Sequence, residues 1–133
     1  MLPGADRRAD YTIFSAVYLM GEGGVALIYE LRIYETVPGR MPALNARFRN
    51  NTLRIFERHG IRSVGYWEDY IGISGRLTYI LAWDDLAHRE RAWDAFAADP
   101  EWQAVRAKSE EDGPIVARVI ATLMRSTDYS PLT

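Results

Sequence analysis

The chain has 133 residues, enough for one domain with its own core, and its 48% hydrophobic and 26% charged residues strike a soluble globular balance. A net charge of −2 argues against a dedicated nucleic-acid binder, and no run approaches the ~18 apolar residues of a membrane span. Cysteine is absent, which removes disulfides, thiolate catalysis and Cys-ligated zinc, and fits a cytoplasmic location. Lys108 is the only lysine, so Schiff-base chemistry has one candidate.

Residues 1–24 form an extension distinct from the domain at 25–133. "MLPGADRRAD" is polar, "YTIFSAVYLM" is apolar, and "GEGG" breaks any regular element. Arg7 and Arg8 precede the apolar run, yet the run is short and no small-x-small cleavage site follows. Two readings remain: an extra edge strand, or sequence upstream of a start at Met20.

From Leu27, "LIYELRIYET" alternates, with Tyr29, Leu31 and Ile33 on one face and Glu30, Arg32 and Tyr34 on the other. Period two with aromatic and β-branched residues predicts a strand. After the Pro38-Gly39 turn, Met41, Leu44, Phe48, Thr52, Ile55 and Phe56 make a stripe that predicts a helix from about Arg40 to His59. Gly60 is its left-handed stop. Ile61 to Ile71 read as a second strand, "GISG" at 72–75 as a hairpin loop, and Leu77 to Trp83 as a third strand. Asp84 or Asp85 caps the next helix, whose predicted stripe is Leu86, Trp93, Phe96 and Ala97. Asp99-Pro100 restarts a short helix carrying Trp102 and Val105, because proline suits the first helical position. Ile115 to Met124 read as the last strand.

The order βαββαβ predicts an α+β, ferredoxin-like domain: a four-stranded antiparallel sheet with both helices on one face. Both sheet faces nevertheless carry apolar residues. Leu77, Tyr79, Leu81 and Trp83 oppose Ile80 and Ala82; Ile115, Val119 and Leu123 oppose Val116, Ile120 and Met124. Strands apolar on both faces call for cover on both. About six large side chains at roughly 1.5–3 kcal/mol each hold on the order of 10–18 kcal/mol. That can exceed the ~4–15 kcal/mol cost of association. A homodimer packed sheet to sheet is the economical expectation, and an N-terminal segment folded over the open face is its competitor.

Four stretches in order, "YELRIYETVPGRMPAL", "ERHGIRSVGYWE", "LTYILAWDDLAHRERAWDAFAADPEWQAVRAKSE" and "LMRSTDYSPL", resemble the NIPSNAP family over roughly Ile28 to Leu132. The resemblance implies a dimeric α+β barrel, the same assembly that burial suggests. It carries little mechanism, because that superfamily includes cofactor-free monooxygenases, isomerases, decarboxylases, heme enzymes and proteins of no known activity. Fold likeness alone does not assign function.

Among candidate residues, His59 ends the first helix's buried stripe, where a cation suits the helix dipole and its ring can bond a terminal carbonyl. The alternative is a general base or ligand. His88 lies in the first turn of the next helix, where a neutral, exposed ring is expected. The two histidines have no metal-ligand spacing, so neither a metal nor another cofactor is expected. Glu30, Arg32 and Tyr34 share a face of the first strand, which this topology makes central. Tyr66, Tyr79 and Trp83 join them if the pleats align. Facing the dimer, Arg32, Tyr34, Tyr66, Tyr79 and Trp83 would line a ligand cavity. Arg32 and Tyr34 could then stabilise an anion, with Glu30 as a base weakened by its arginine neighbour. The competing reading is an ion pair in an aromatic seam. Arg40, Arg47, Arg54 and Arg58 share a helix face, expected to be solvated or to pair with the acidic surface of Asp84, Asp85, Glu90 and Asp94, and not to bind nucleic acid.

Two functions follow from these residues. The first is a homodimer that binds or transforms a small apolar or aromatic ligand between its sheets without a cofactor. The second is a non-catalytic protein-interaction module. A deep cavity lined by convergent polar groups favours the first, and a filled site with apolar surface exposed elsewhere favours the second.

Overall fold

The computed structural model of the chain describes residues 26–133. Both readings of the 1–24 extension lie outside the described residues. The elements run β1 (Ile28–Thr36), α1 (Met41–Arg47), a π-helical turn (Phe48–Thr52), α2 (Leu53–Arg58), β2 (Arg62–Glu68), β3 (Arg76–Trp83), α3 (Leu86–Ala98), α4 (Pro100–Ser109) and β4 (Val116–Arg125). The strands form one antiparallel sheet in the order β2-β3-β1-β4, with β1 inside it. This is the expected α+β, ferredoxin-like arrangement.

The predicted first helix is interrupted. Five residues from Phe48 to Thr52 wind as a π turn, and the buried Thr52 hydroxyl donates to the carbonyl of Arg47 at 3.2 Å. That bond engages a backbone acceptor at the end of α1. Leu44, Phe48, Thr52, Ile55 and Phe56 are buried as the stripe predicts. At the far end Gly60 takes φ +70, and its N–H closes on the carbonyl of Glu57.

Other boundaries shift modestly. β2 ends at Glu68, because Asp69 organises the hairpin loop: its carboxylate accepts from the Ile73 N–H at 2.8 Å and from Arg76 at 2.6 Å. Asp85 is the cap of α3, accepting from the His88 N–H at 2.7 Å. The stripe of α3 needs correction. Phe96 and Ala92 are buried and Trp93 is partly buried, but Leu86 and Ala97 are exposed. Residues 92 and 96 are one turn apart and define the inward line, which Leu86 and Ala97 flank. Asp99 ends α3 and caps α4, accepting from the Glu101 N–H at 2.8 Å, with Pro100 at the first helical position.

The core lies between the helices and one sheet face, where Leu77, Tyr79, Leu81 and Trp83 pack against Leu44, Phe48, Ile55, Phe56 and Phe96. A second, smaller cluster on the opposite face joins Leu27, Tyr29 and Ala82, with Val64, Ile80 and Met124 against it.

Candidate functional site

Register decides where the polar strand residues go. Arg32 pairs with Tyr79 across β1 and β3, and Tyr79 pairs with Tyr66 across β3 and β2. Directly opposed residues share a sheet face, so the three side chains stand together. Leu77, Tyr79, Leu81 and Trp83 point into the helix layer, and they carry Glu30, Arg32 and Tyr34 with them. A ligand cavity between the sheets required this face to look into the dimer, a direction the sequence left open; the cluster lies under the helices instead.

Glu30 is fully buried and is the hub. Its carboxylate accepts from Arg32 at 2.7 Å, Arg89 at 2.7 Å, the Trp83 indole N–H at 2.9 Å and the Trp93 indole N–H at 3.5 Å. Burial pushes this carboxyl upward, but the hydrogen bonds from Arg89 and Arg32 outweigh it and hold it below the usual carboxylate range. An acid so held is a poor proton acceptor. Arg32 also donates through Nε to the Tyr79 hydroxyl at 2.7 Å and through Nη2 to Tyr34 at 3.3 Å. Its guanidinium lies 4.6 Å from the centre of the Trp93 ring. Tyr79 donates onward to Tyr34 at 2.8 Å. Burial, reinforced by Tyr34, raises the Tyr79 phenol well above its ordinary value, so it stays protonated.

Tyr66 stacks on Tyr79 with ring centres 5.0 Å apart, and its hydroxyl bonds Ser63 at 2.8 Å. Phe48, at the start of the π turn, touches Tyr34, Tyr66 and Tyr79. An apolar groove of about 210 Å³ opens there, lined by Asn45, Phe48, Arg49, Leu53, Tyr66 and Leu77. Five of the expected residues therefore form one connected network: Glu30, Arg32, Tyr34, Tyr79 and Trp83. Tyr66 joins it by stacking and reaches the groove. Sequence reading missed Arg89 and placed Trp93 only in the buried stripe, although both lie on α3 and reach Glu30. Their spacing of four residues puts them on one helix face, and that was the available signal.

His59 stands apart. It is the C-cap of α2, as expected, but its ring bonds no terminal carbonyl. Nε2 lies 2.6 Å from the carboxylate of Asp99, which also pairs with Arg58. Arg58 and then His59 hold Asp99 well below the usual carboxylate range. The pair ties the end of α2 to the start of α4. His88 is not exposed. Its Nδ1 accepts from the Asp84 N–H at 3.1 Å, Nε2 meets the Gly60 carbonyl at 3.1 Å, and the ring packs edge-on to Trp83. Those bonds use the neutral tautomer with its proton on Nε2. Among the described residues no group of three or more His, Cys, Asp or Glu is placed to hold a metal ion, and no helix is long and apolar enough to cross a membrane.

The arginine stripe also pairs differently from expectation. Arg54 and Arg58 meet Glu101 at 2.5 and 2.7 Å, and Arg47 reaches Glu110 at 3.5 Å. The partners belong to α4 and its ends, because α4 and not α3 runs beside this face of the first helix.

The family model described as NIPSNAP matches residues 29–131. Mouse protein NipSnap homolog 3B is 32% identical over 76 residues, covering 56% of this chain and 30% of the mouse protein. The chain thus spans less than a third of that relative's length. A NIPSNAP family protein of unknown function from Agrobacterium tumefaciens is 25% identical with a TM-score of 0.72, covering 81% of this chain and 95% of its own. An uncharacterised NIPSNAP-like domain protein from Burkholderia xenovorans is 25% identical with a TM-score of 0.71, covering 80% and 90%. With the match running from the first strand through the C-terminal segment, the chain belongs to the NIPSNAP family.

Proposed function

We propose that this protein is a non-catalytic, homodimeric interaction module. The observation that carries the reading is a contrast in satisfaction. The polar cluster under the helices spends its hydrogen bonds on itself, with Glu30 and Tyr79 fully buried. On edge strand β4, Val119, Ile120 and Leu123 are 46%, 39% and 45% exposed. Val119 and Leu123 lie in register with Tyr34 and Glu30, and Ile120 with Ile33, so apolar surface is open on both faces of that strand. A second copy laid against the open sheet face would cover Ile120 together with Ile33 and Ile80. The paired chains would then present a joint surface to other proteins.

Sedimentation of the full chain at micromolar concentration tests this. The expected result is a dimer that Ile120→Glu converts to a folded monomer. A stable wild-type monomer overturns the proposal.

A second reading is favoured by the groove beside the π turn. Phe48 and Tyr66 form part of its wall and also touch Tyr79, so a small apolar or aromatic ligand seated there would rest against the tyrosine–arginine network. Native mass spectrometry of the purified protein distinguishes the two. A retained small molecule, lost in Tyr66→Ala, supports ligand binding. Bare chains support the interaction module.

A further inference from the structure

The β2–β3 hairpin carries the most exposed large apolar side chains among the described residues. Tyr70 is 99% and Ile71 92% exposed, and Ile73 follows at 54%. None of the three packs against either core cluster. Single apolar residues on a surface need no reason, but a contiguous group does. Hairpin loops ordinarily take Asn, Asp, Ser or Gly, so turning the chain does not by itself call for a tyrosine and two isoleucines. Trp67, though also exposed, stands outside the group. It shares the open sheet face with Ile33 through Thr78, and its ring lies over Gly65, where an added methyl would sit 2.6 Å from it.

The loop is held at both roots. Asp69 accepts from the Ile73 N–H at 2.8 Å and from Arg76 Nε and Nη2 at 3.0 and 2.6 Å. The Gly75 carbonyl accepts from the Thr36 N–H at 2.8 Å and from the Thr36 hydroxyl at 3.0 Å. These bonds fix the apolar tip to the sheet, so little order is left to lose when it meets a partner. They also pair Asp69 with Arg76, the charges that bound the tip. The stretch between them, "YIGISG" at 70–75, has none.

We propose that this tip is a membrane-surface finger whose partner is a zwitterionic phospholipid bilayer. Such a surface asks for apolar side chains with no charge among them, and for an aromatic ring with a polar end at headgroup depth. It also asks that backbone donors be satisfied within the segment. Ile71 with Ile73, then Tyr70, then the bond from the Ile73 N–H to Asp69 meet these in turn. A protein partner would call for a polar rim around the apolar anchor, and here Tyr70 and Ser74 alone offer polar side chains. Glu68, exposed at the end of β2, and the chain's net charge of −2 disfavour an anionic surface. Contact of this kind needs no spanning segment. The tip stands past the ends of β2 and β3 and lines no part of the groove, so the inference rests on neither the dimer nor the ligand reading.

Flotation of the full chain with phosphatidylcholine vesicles tests this. Half-maximal binding is expected near ~1 mM lipid, about tenfold weaker than a single myristoyl chain provides. Ile71→Asp should weaken binding about tenfold or more, and phosphatidylserine in the vesicles should weaken it as well. Ile71→Trp places a reporter at the tip: relative to wild type, its emission should shift to the blue and be quenched by brominated acyl chains. Both substitutions alter a side chain outside the core clusters, so the fold is retained. No flotation at about 10 mM lipid overturns the proposal. So does an affinity unchanged in Ile71→Asp, vesicle-bound Ile71→Trp whose emission matches wild type, or tighter binding to anionic vesicles. A chain that stays off vesicles but fails to dimerise in Ile71→Asp overturns it in favour of a protein contact at the tip.

Discussion

Glu30 and Arg32, two positions apart on β1, meet at 2.7 Å beneath the helix layer, with the carboxylate fully buried. Residues so spaced share a strand face, so the pair forms within one element and needs no long-range search. Arg89 then brings α3 onto the same carboxylate at 2.7 Å, which makes Glu30 the point where sheet and helix layer are joined electrostatically.

Replacing Glu30 with Gln should therefore destabilise the fold by about 3–5 kcal/mol, because the partly buried guanidinia of Arg32 and Arg89 lose the buried anion they share. Urea denaturation checks this. A loss under about 1 kcal/mol, the scale of an exposed pair, would show that the guanidinia find other partners.

Acid should unfold the protein through the same group. Glu30 and Asp99 are both held below their ordinary values, so the folded chain binds these protons less readily than the unfolded chain does. Their stabilisation is complete above the unfolded carboxylate values near ~4, and it is lost as pH falls through the lower folded values. Urea midpoints between neutral pH and about pH 2 should fall with acidification, and Glu30→Gln should flatten that slope. An identical slope in the variant would remove Glu30 from the account.

Tyr79→Phe deletes a hydroxyl that accepts from Arg32 Nε at 2.7 Å and donates to Tyr34 at 2.8 Å. The ring volume stays, so the expected loss of about 1–3 kcal/mol reports the two broken hydrogen bonds, chiefly the guanidinium N–H left unpaired. Combining it with Tyr34→Phe should cost less than the sum of the two single changes, a coupling that a double-mutant cycle measures.

Gly60→Ala should cost about 1–2 kcal/mol through backbone conformation. A methyl there would meet nothing closer than His88 Nε2 at 3.7 Å, so crowding is not the cause. A denaturation midpoint unchanged from wild type would mean that the chain can leave its φ of +70 without penalty.

Much of this was legible in the sequence. The alternation of "YELRIYET", the Asp99-Pro100 restart and the stop at Gly60 each follow from local chemistry, and all three stand in the fold. The direction of the polar face stayed open in the sequence. Glu30, Arg32 and Tyr34 look too polar for a helix-covered surface, and only the cross-strand register with Leu81, Tyr79 and Leu77 shows that they must share it. That register was open to inference, because Leu77, Tyr79, Leu81 and Trp83 are the stronger core line of β3. The pairing of Arg58 and His59 with Asp99 was hidden for a different reason. It depends on how α4 lies across α2, a tertiary angle that no period in the sequence encodes.

The five-residue turn from Phe48 to Thr52 separates the two halves of the first helix. Four residues of ordinary winding overshoot a full turn by about 40°, so positions four apart drift around the helix. The wider turn takes up that drift, and Phe48, Thr52 and Phe56 all stay on the buried line. Straightening it without removing a residue would carry Phe56 away from the sheet and His59 away from Asp99. The surplus residue works as a slack take-up, holding the aromatic wall of the groove and the clasp on α4 in phase along one helix.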